Sequence, residues 1–178
     1  MYVCTPRLII RDYLPSDWLD LHEIFSDPIV MKEIEPAYTE EQTKSALDYF
    51  IKKSIAYAVT LADTGKVIGH ALFAQLPPPD DAGIYEIGWI YNRNYWRQGY
   101  AYEAAQALID HGFRELKLHK ITAETIDPVK SAGLMKKLGM VHEGTFRGHT
   151  KDSEGNWTDV YWYAMLNPKS NGTMSIDE

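Results

Sequence analysis

Hydrophobic positions along this chain follow two periods, one near 3.6 residues and one of two, and the switches between them predict its element order. The apolar run Leu8–Tyr13 after Pro6 reads as a strand. Pro15-Ser16-Asp17 supplies a cap, and Trp18, Leu21 and Phe25 share one side of a short helix, Trp18–Phe25. Asp27-Pro28 repeats the cap-then-proline start for a brief helical segment over Ile29–Lys32. Thr39-Glu40-Glu41-Gln42 has capping-box spacing, and Ala46, Leu47, Phe50 and Ile51 keep a helical period down to Lys53.

The middle of the chain turns to strands. Ala56–Leu61 and Val67–Gln75 flank the hairpin signal Asp63-Thr64-Gly65-Lys66, and Pro77–Asp81 ends that hairpin as an expected exposed loop. Ile84–Tyr91 completes three consecutive antiparallel strands, and Gly88 within it suggests a bulge or a close backbone approach. From Ala101 to Leu116 an unbroken i, i+3, i+4, i+7 stripe makes the strongest helix signal of the sequence. Lys120–Ile126 reads as a strand and Val129–Leu138 as a helix closed by Gly139. Val141–Thr150 and Trp157–Met165 form a last hairpin around Asp152–Gly155, and a polar, disordered tail is expected from Asn167. This order implies an α+β protein: one mixed, mostly antiparallel sheet with helices on both faces, and a right-handed parallel crossover from Ile84 to Ile126.

Composition narrows the function. At 178 residues, 45% hydrophobic and 24% charged, the chain fits one globular domain. A net charge of -7 argues against nucleic-acid binding, which needs clustered Lys and Arg, and suits a cationic amine partner or simple solubility. Cys4 is the only cysteine, so no intrachain disulfide can form and a reducing compartment fits; it lies near an N-terminus expected to be loose and is given no catalytic role. No secretory signal and no bilayer-spanning apolar run is read, so a cytoplasmic protein without membrane contact is expected.

The chemistry concentrates between Glu86 and Ala101. An apolar strand, a polar turn and Gly99 lead into the long helix there, whose unpaired N–H groups and dipole suit a phosphate or pyrophosphate. Arg97, Gln98, Gly99, Tyr100 and Ala101 form the candidate anion nest, with Arg97 either adding charge-assisted bonds or simply facing solvent. Glu86, upstream on the strand, is the general-base candidate, with His70 and His119 as rivals. The plain alternative for Glu86 is a carboxylate that only attracts a cation.

The turn Trp96-Arg97-Gln98-Gly99-Tyr100-Ala101 resembles the GNAT superfamily of acyl-CoA-dependent N-acyltransferases, in particular the RimJ/RimL type that acetylates ribosomal-protein N-termini. Supporting matches are Arg7–Arg11, Asp27–Met31, Asp63-Thr64-Gly65, Glu86-Ile87-Gly88, Tyr95-Trp96 to Glu103-Ala104, Leu118-His119-Lys120, Lys137-Leu138-Gly139 and Asp159-Val160. Any one is weak alone; in series they are specific. The resemblance implies a GNAT domain over residues 7–168, a polar tail over 169–178, and acetyl-CoA as co-substrate without a metal. It also implies pantetheine paired with the main chain of Trp89 and Ile90, and a primary amine, either a protein N-terminus or a small molecule, as acceptor. Glu33, Glu35, Tyr38, Asp80 and Asp81 would border the acceptor pocket, where ordinary solvation explains them as well.

Ser131 takes the family's small-polar place on the helix after Ile126, where its hydroxyl could reach the thioester sulfur or serve as a helix cap. Two positions depart from the pattern. Pro128 stands where the family often has Asn, and Met135 where many members have a Tyr general acid. These departures keep open a non-catalytic acyl-CoA-binding module, a sensor or scaffold. The aromatic run Val160–Tyr163 could form either a homodimer face or core.

Overall fold

The computed structural model describes residues 1–75 and 83–169. Eight strands form one sheet in the order β1-β2-β3-β4-β5-β6-β8-β7: β1 (Tyr2–Cys4), β2 (Leu8–Arg11), β3 (Ala56–Leu61), β4 (Val67–Gln75), β5 (Ile84–Tyr91), β6 (Lys120–Thr125), β7 (Val141–Lys151) and β8 (Trp157–Leu166). All pairings are antiparallel except β5 with β6. Among the described residues five α-helices complete the fold, α1 (Trp18–Phe25), α2 (Pro28–Met31), α3 (Glu40–Lys53), α4 (Tyr100–Arg114) and α5 (Lys130–Lys137), with 3-10 turns at Pro15–Asp17 and Arg93–Tyr95.

Two apolar clusters occupy the two faces. One packs α4 and α5 against Tyr57, Val59, Phe73, Ile87 and Ile121; the other packs α1 to α3 against Ala56, Ala58 and Val67. The alternation Ala56, Tyr57, Ala58, Val59 along β3 sends successive side chains to opposite clusters, as a strand covered on both sides requires. On α4, Ala104, Ala105, Leu108, Ile109 and Gly112 are buried. Gly112 packs tightly there: a Cβ would lie 2.9 Å from Leu118 Cδ1 and 3.0 Å from Ile121 Cδ1 and Phe73 Cζ.

Several caps follow local sequence. Thr39 and Gln42 close the expected capping box on α3, Asp27 accepts from Ile29 N at the start of α2, and Gly139 ends α5 at φ 86°. Asp17 does not cap α1. Its buried carboxylate binds the Arg11 guanidinium at 2.7 and 2.9 Å and accepts from Leu14 N, because a full charge satisfies it better than helix N–H groups.

Further expectations are corrected. The N-terminus is not loose, since Tyr2–Cys4 pairs with Ile9–Arg11 as an edge strand. Gly88 sits in continuous register with Leu72, so no bulge occurs there; the sheet's irregularities fall at Val59/Thr60 and twice along β7. The long helix stops at Arg114, where Leu118 N turns back to Gly112 O and Lys117 takes φ 55°, leaving Leu116 exposed. Asn167, expected to begin the tail, is buried and donates from its main chain to His119 O and from its side chain to Leu118 O. The Pro77–Asp81 loop lies outside the described residues. No helix among the described residues is long and apolar enough to cross a membrane.

Candidate functional site

The turn between β5 and α4 is held from below by its own side chains. Buried Asn92 accepts from Asn94 N at 3.0 Å and donates to Glu23 at 3.2 Å. Trp96 Nε1 donates to Tyr91 O at 2.7 Å, and Gln98 Nε2 to Asn94 O at 3.0 Å. These bonds allow Arg97 to take φ 59°, a left-handed conformation costing about 1–2 kcal/mol for a residue with a Cβ. Gly99 follows at φ 83° as the N-cap of α4, and no side chain caps that helix. A fifteen-residue helix thus presents uncapped N–H groups of its first turn to solvent beside an exposed Arg97. Such a nest suits a diphosphate.

Sequence reasoning gave no role to the brace behind this nest. Arg7, just before β2, donates from Nε to Glu103 Oε2 at 2.6 Å and from Nη1 to Gln98 O at 3.0 Å. Its guanidinium carbon also lies 4.4 Å from the centroid of the Tyr100 ring. Thr5 adds a 2.6 Å bond to Glu103. Burial disfavours the Glu103 carboxylate, but the bonds from Thr5 and Arg7 outweigh it and hold the carboxyl below its usual range. Arg7 and Glu103 both stand in recognisable motifs, yet nothing in a sequence pairs residues 96 apart.

The second element of the site is a gap in the sheet. β5 and β6 pair only from Ile84–Lys120 to Glu86–Thr122; β5 then continues alone on that side while β6 stays with β8. Gly83 O accepts from His119 N and Tyr85 O from Thr122 Oγ1, so odd-numbered residues turn their main chain toward β6. By that alternation the N–H and C=O of Trp89 face the gap. Ile90 turns its main chain to His70 of β4 instead, and its side chain packs in the cluster under α1 to α3.

Glu86 closes the narrow end of the gap. It is half-buried, and its carboxylate makes no hydrogen bond or ion pair among the described residues. Burial raises its pKa, and the nearby charge of Glu124 raises it further. The rivals fit less well. His70 is buried in a cage of Tyr13, Phe25 and Phe50 with its Nδ1 3.0 Å from Tyr13 Oη, and burial pushes its pKa down to about 4. His119 sits exposed in the turn before β6, where its main chain bonds Gly83 and Asn167.

Ser131 lies in the first turn of α5 but is not its cap. Asp127 Oδ1 accepts from Val129 N and Lys130 N, leaving the Ser131 hydroxyl without a partner among the described residues. Met135 is buried in the core under α5, so packing rather than proton transfer accounts for it, and Pro128 is exposed. On the same side, a cleft of about 220 Å³ opens between Lys32–Glu33, Ile126 and the β7–β8 turn, where Ser153 Oγ donates to Lys32 O. Glu33 is raised by burial and by Asp127; Tyr38, bonded to Glu35 at 2.7 Å, is pushed up to about 12 by burial and that bond. Asp80 and Asp81 lie outside the described residues. Among the described residues, no group of three or more His, Cys, Asp or Glu could hold a metal ion.

Comparison with known proteins gives the family. Residues 7–141 match the acetyltransferase (GNAT) domain family. The chain is 40% identical over 180 residues to a Bacillus subtilis protein described as the uncharacterized N-acetyltransferase YnaD, covering 96% of this chain and all of that one. A solved GNAT-family acetyltransferase from Bacillus anthracis superposes with a TM-score of 0.86 at 36% identity, over 94% of this chain and 99% of the other. The spermidine N-acetyltransferase of Vibrio cholerae, solved with CoA and spermine, shares the fold at a TM-score of 0.77 and 20% identity, over 92% and 97% of the two chains. An uncapped helix start beside a parted sheet is therefore found here in a chain that belongs to the GNAT family and is an N-acetyltransferase.

Proposed function

We propose that this enzyme takes acetyl-CoA as donor and transfers its acetyl group directly to a primary amine, a protein N-terminus or a small molecule, as a RimJ/RimL-like cytoplasmic member of its family. The observation that carries the reading is the parting of β5 and β6 immediately beyond Glu86. It leaves the Trp89 main chain free to pair with the pantetheine arm as an added strand would. The N–H groups from Arg97 to Ala101 would take the diphosphate, and the arm would then lead the thioester toward Glu86.

There the amine nitrogen bonds to the carbonyl carbon, the carbon–sulfur bond breaks, and the amine's proton passes to Glu86 directly or through one water. Main-chain N–H groups of β5 would polarise the carbonyl. The leaving thiolate takes a proton from water, or from the Ser131 hydroxyl with solvent reprotonating that hydroxyl, or departs unprotonated; buried Met135 cannot supply the proton. Cys4 lies on the edge strand β1, so the chemistry runs without an acyl-enzyme.

Calorimetry with acetyl-CoA followed by thiol release across peptides, polyamines and aminoglycosides tests the proposal. The expected result is binding by both wild type and Glu86→Gln, with turnover lost in the variant. A flat titration, or equal turnover by the two proteins, would overturn it.

A further inference from the structure

The face of the sheet that carries Glu86 holds a second unpaired carboxylate. Glu86 is in register with Thr122, and Glu124 follows two residues along β6 on the same face. Sheet spacings put the two glutamates' α-carbons about 8 Å apart. Glu124 is exposed and makes no hydrogen bond or ion pair among the described residues. Directly opposite it on β8 stands Trp162, which is half-buried and packed edge-on by Phe146 with ring centroids 6.3 Å apart.

An anion beside an indole suits a cation, which meets charge from one side and an aromatic face from the other. The neighbouring positive groups do not supply it. Lys120, on the same face, is held by Glu143 at 2.6 Å, and Lys130 lies toward Glu33. Two like charges left facing each other repel, and the repulsion ends when a cation is seated between them.

We propose that Glu124, with Trp162 as its wall, is the acceptor-positioning residue of this enzyme. It selects amines that carry a second positive charge a few bonds from the reacting nitrogen. The proposal rests on the reading of Glu86 as base. Two sources share this chemistry: a small diamine, and a peptide α-amine followed by Lys or Arg. The second charge docks against Glu124 and Trp162 while the reacting nitrogen is presented to Glu86.

Glu124 also acts on the base itself, since its charge adds to burial in raising the Glu86 carboxyl. The other groups around Glu86 leave that effect visible. Ala74 is its partner on β4, and His70 lies four residues further along that strand, buried and neutral. Lys120 is tied to Glu143, Glu33 faces Asp127, and Glu35 is bonded by Tyr38.

The test compares pentylamine with cadaverine, and Ala-Met amide with Ala-Lys amide, as acceptors for wild type, Glu124→Gln and Glu124→Asp. Wild type is expected to favour the dicationic member of one pair by about tenfold or more in kcat/KM, the responding pair naming the source. Glu124→Gln should bring that ratio near unity through KM with kcat largely kept, and Glu124→Asp should restore part of it. In Glu124→Gln the acidic limb of the monocation pH profile should also move to lower pH, because Glu86 has lost a repelling neighbour. Normal turnover with an unchanged ratio and an unchanged acidic limb in Glu124→Gln overturns the inference alone. Undiminished turnover in Glu86→Gln overturns the underlying reading with it.

Discussion

Arg7→Ala separates the proposed anion nest from the bonds that brace it. In the native protein the guanidinium makes a 2.6 Å bond to Glu103, a 3.0 Å bond to Gln98 O and a 4.4 Å stack on Tyr100. Charge-assisted bonds of this kind contribute about 1.5–3 kcal/mol when shielded. The Arg7 side chain is 45% exposed, which reduces its ion pair to about 1 kcal/mol or less, and the ring contact adds about 0.5–1 kcal/mol. Glu103 keeps its bonds from Thr5 and the Arg7 main chain. The expected loss is therefore about 2 kcal/mol, or a Tm lower by about 4–8 °C for a chain of this size.

If the same contacts keep the nest formed, acetyl-CoA affinity falls as well, by up to about tenfold for each 1.4 kcal/mol passed to the loop. Differential scanning calorimetry and isothermal titration measure the two effects separately. Arg7→Lys, which keeps the charge but not the planar fork, should recover only part of each. The gap in Tm between wild type and Arg7→Ala should narrow in acid. A carboxyl with a depressed folded pKa contributes stability above its unfolded value, near 4.3, and loses it as pH falls through the folded one. A lowered Tm with unchanged acetyl-CoA affinity would refute the reasoning, leaving Arg7 a fastener of β2 to α4 and nothing more.

Three further outcomes are expected. Glu86→Gln should lower kcat by about two to four orders of magnitude with acetyl-CoA affinity kept, measured by thiol release and calorimetry. Gly112→Ala should destabilise the fold by about 1–3 kcal/mol in urea titration, since the added Cβ would sit 2.9 Å from Leu118 and 3.0 Å from both Ile121 and Phe73. His70, held near 4 against about 6.5 unfolded, binds its proton more readily in the unfolded chain. Folding stability should therefore fall as pH drops from about 6.5 toward 4, by about 2 kcal/mol between pH 8 and pH 5, and His70→Phe should flatten that part of the curve.

Much of this fold is written locally. Apolar period, turn residues and caps mark the strands from Ala56 to Tyr91, the long helix from Tyr100, and the Gly139 stop, because each depends on neighbours within about four residues. The misreadings share a cause. Asp17 looked like a cap until Arg11 was seen beside it, Leu116 kept its helical period past the point where Gly112 O draws the chain back, and Asn167 looked polar and free until it met Leu118. The proposed site divides along the same line. Glu86 and the Arg97–Ala101 turn could be found from their own stretch, whereas Arg7 with Glu103, and Glu124 with Trp162, become neighbours only when distant strands and helices assemble. Ser131 is the intermediate case: its cap-like position was legible, but that Asp127 does the capping was not.

The unequal margins of the sheet limit how copies of this molecule can join. β1 offers three residues at one side and β7 eleven at the other, the latter interrupted twice in its register with β8. Among the described residues, association by strand addition has one long seam to work with, so two copies meeting there through a twofold axis would use it up. Growth into a fibre needs a second seam, and three residues at the far border make a poor one.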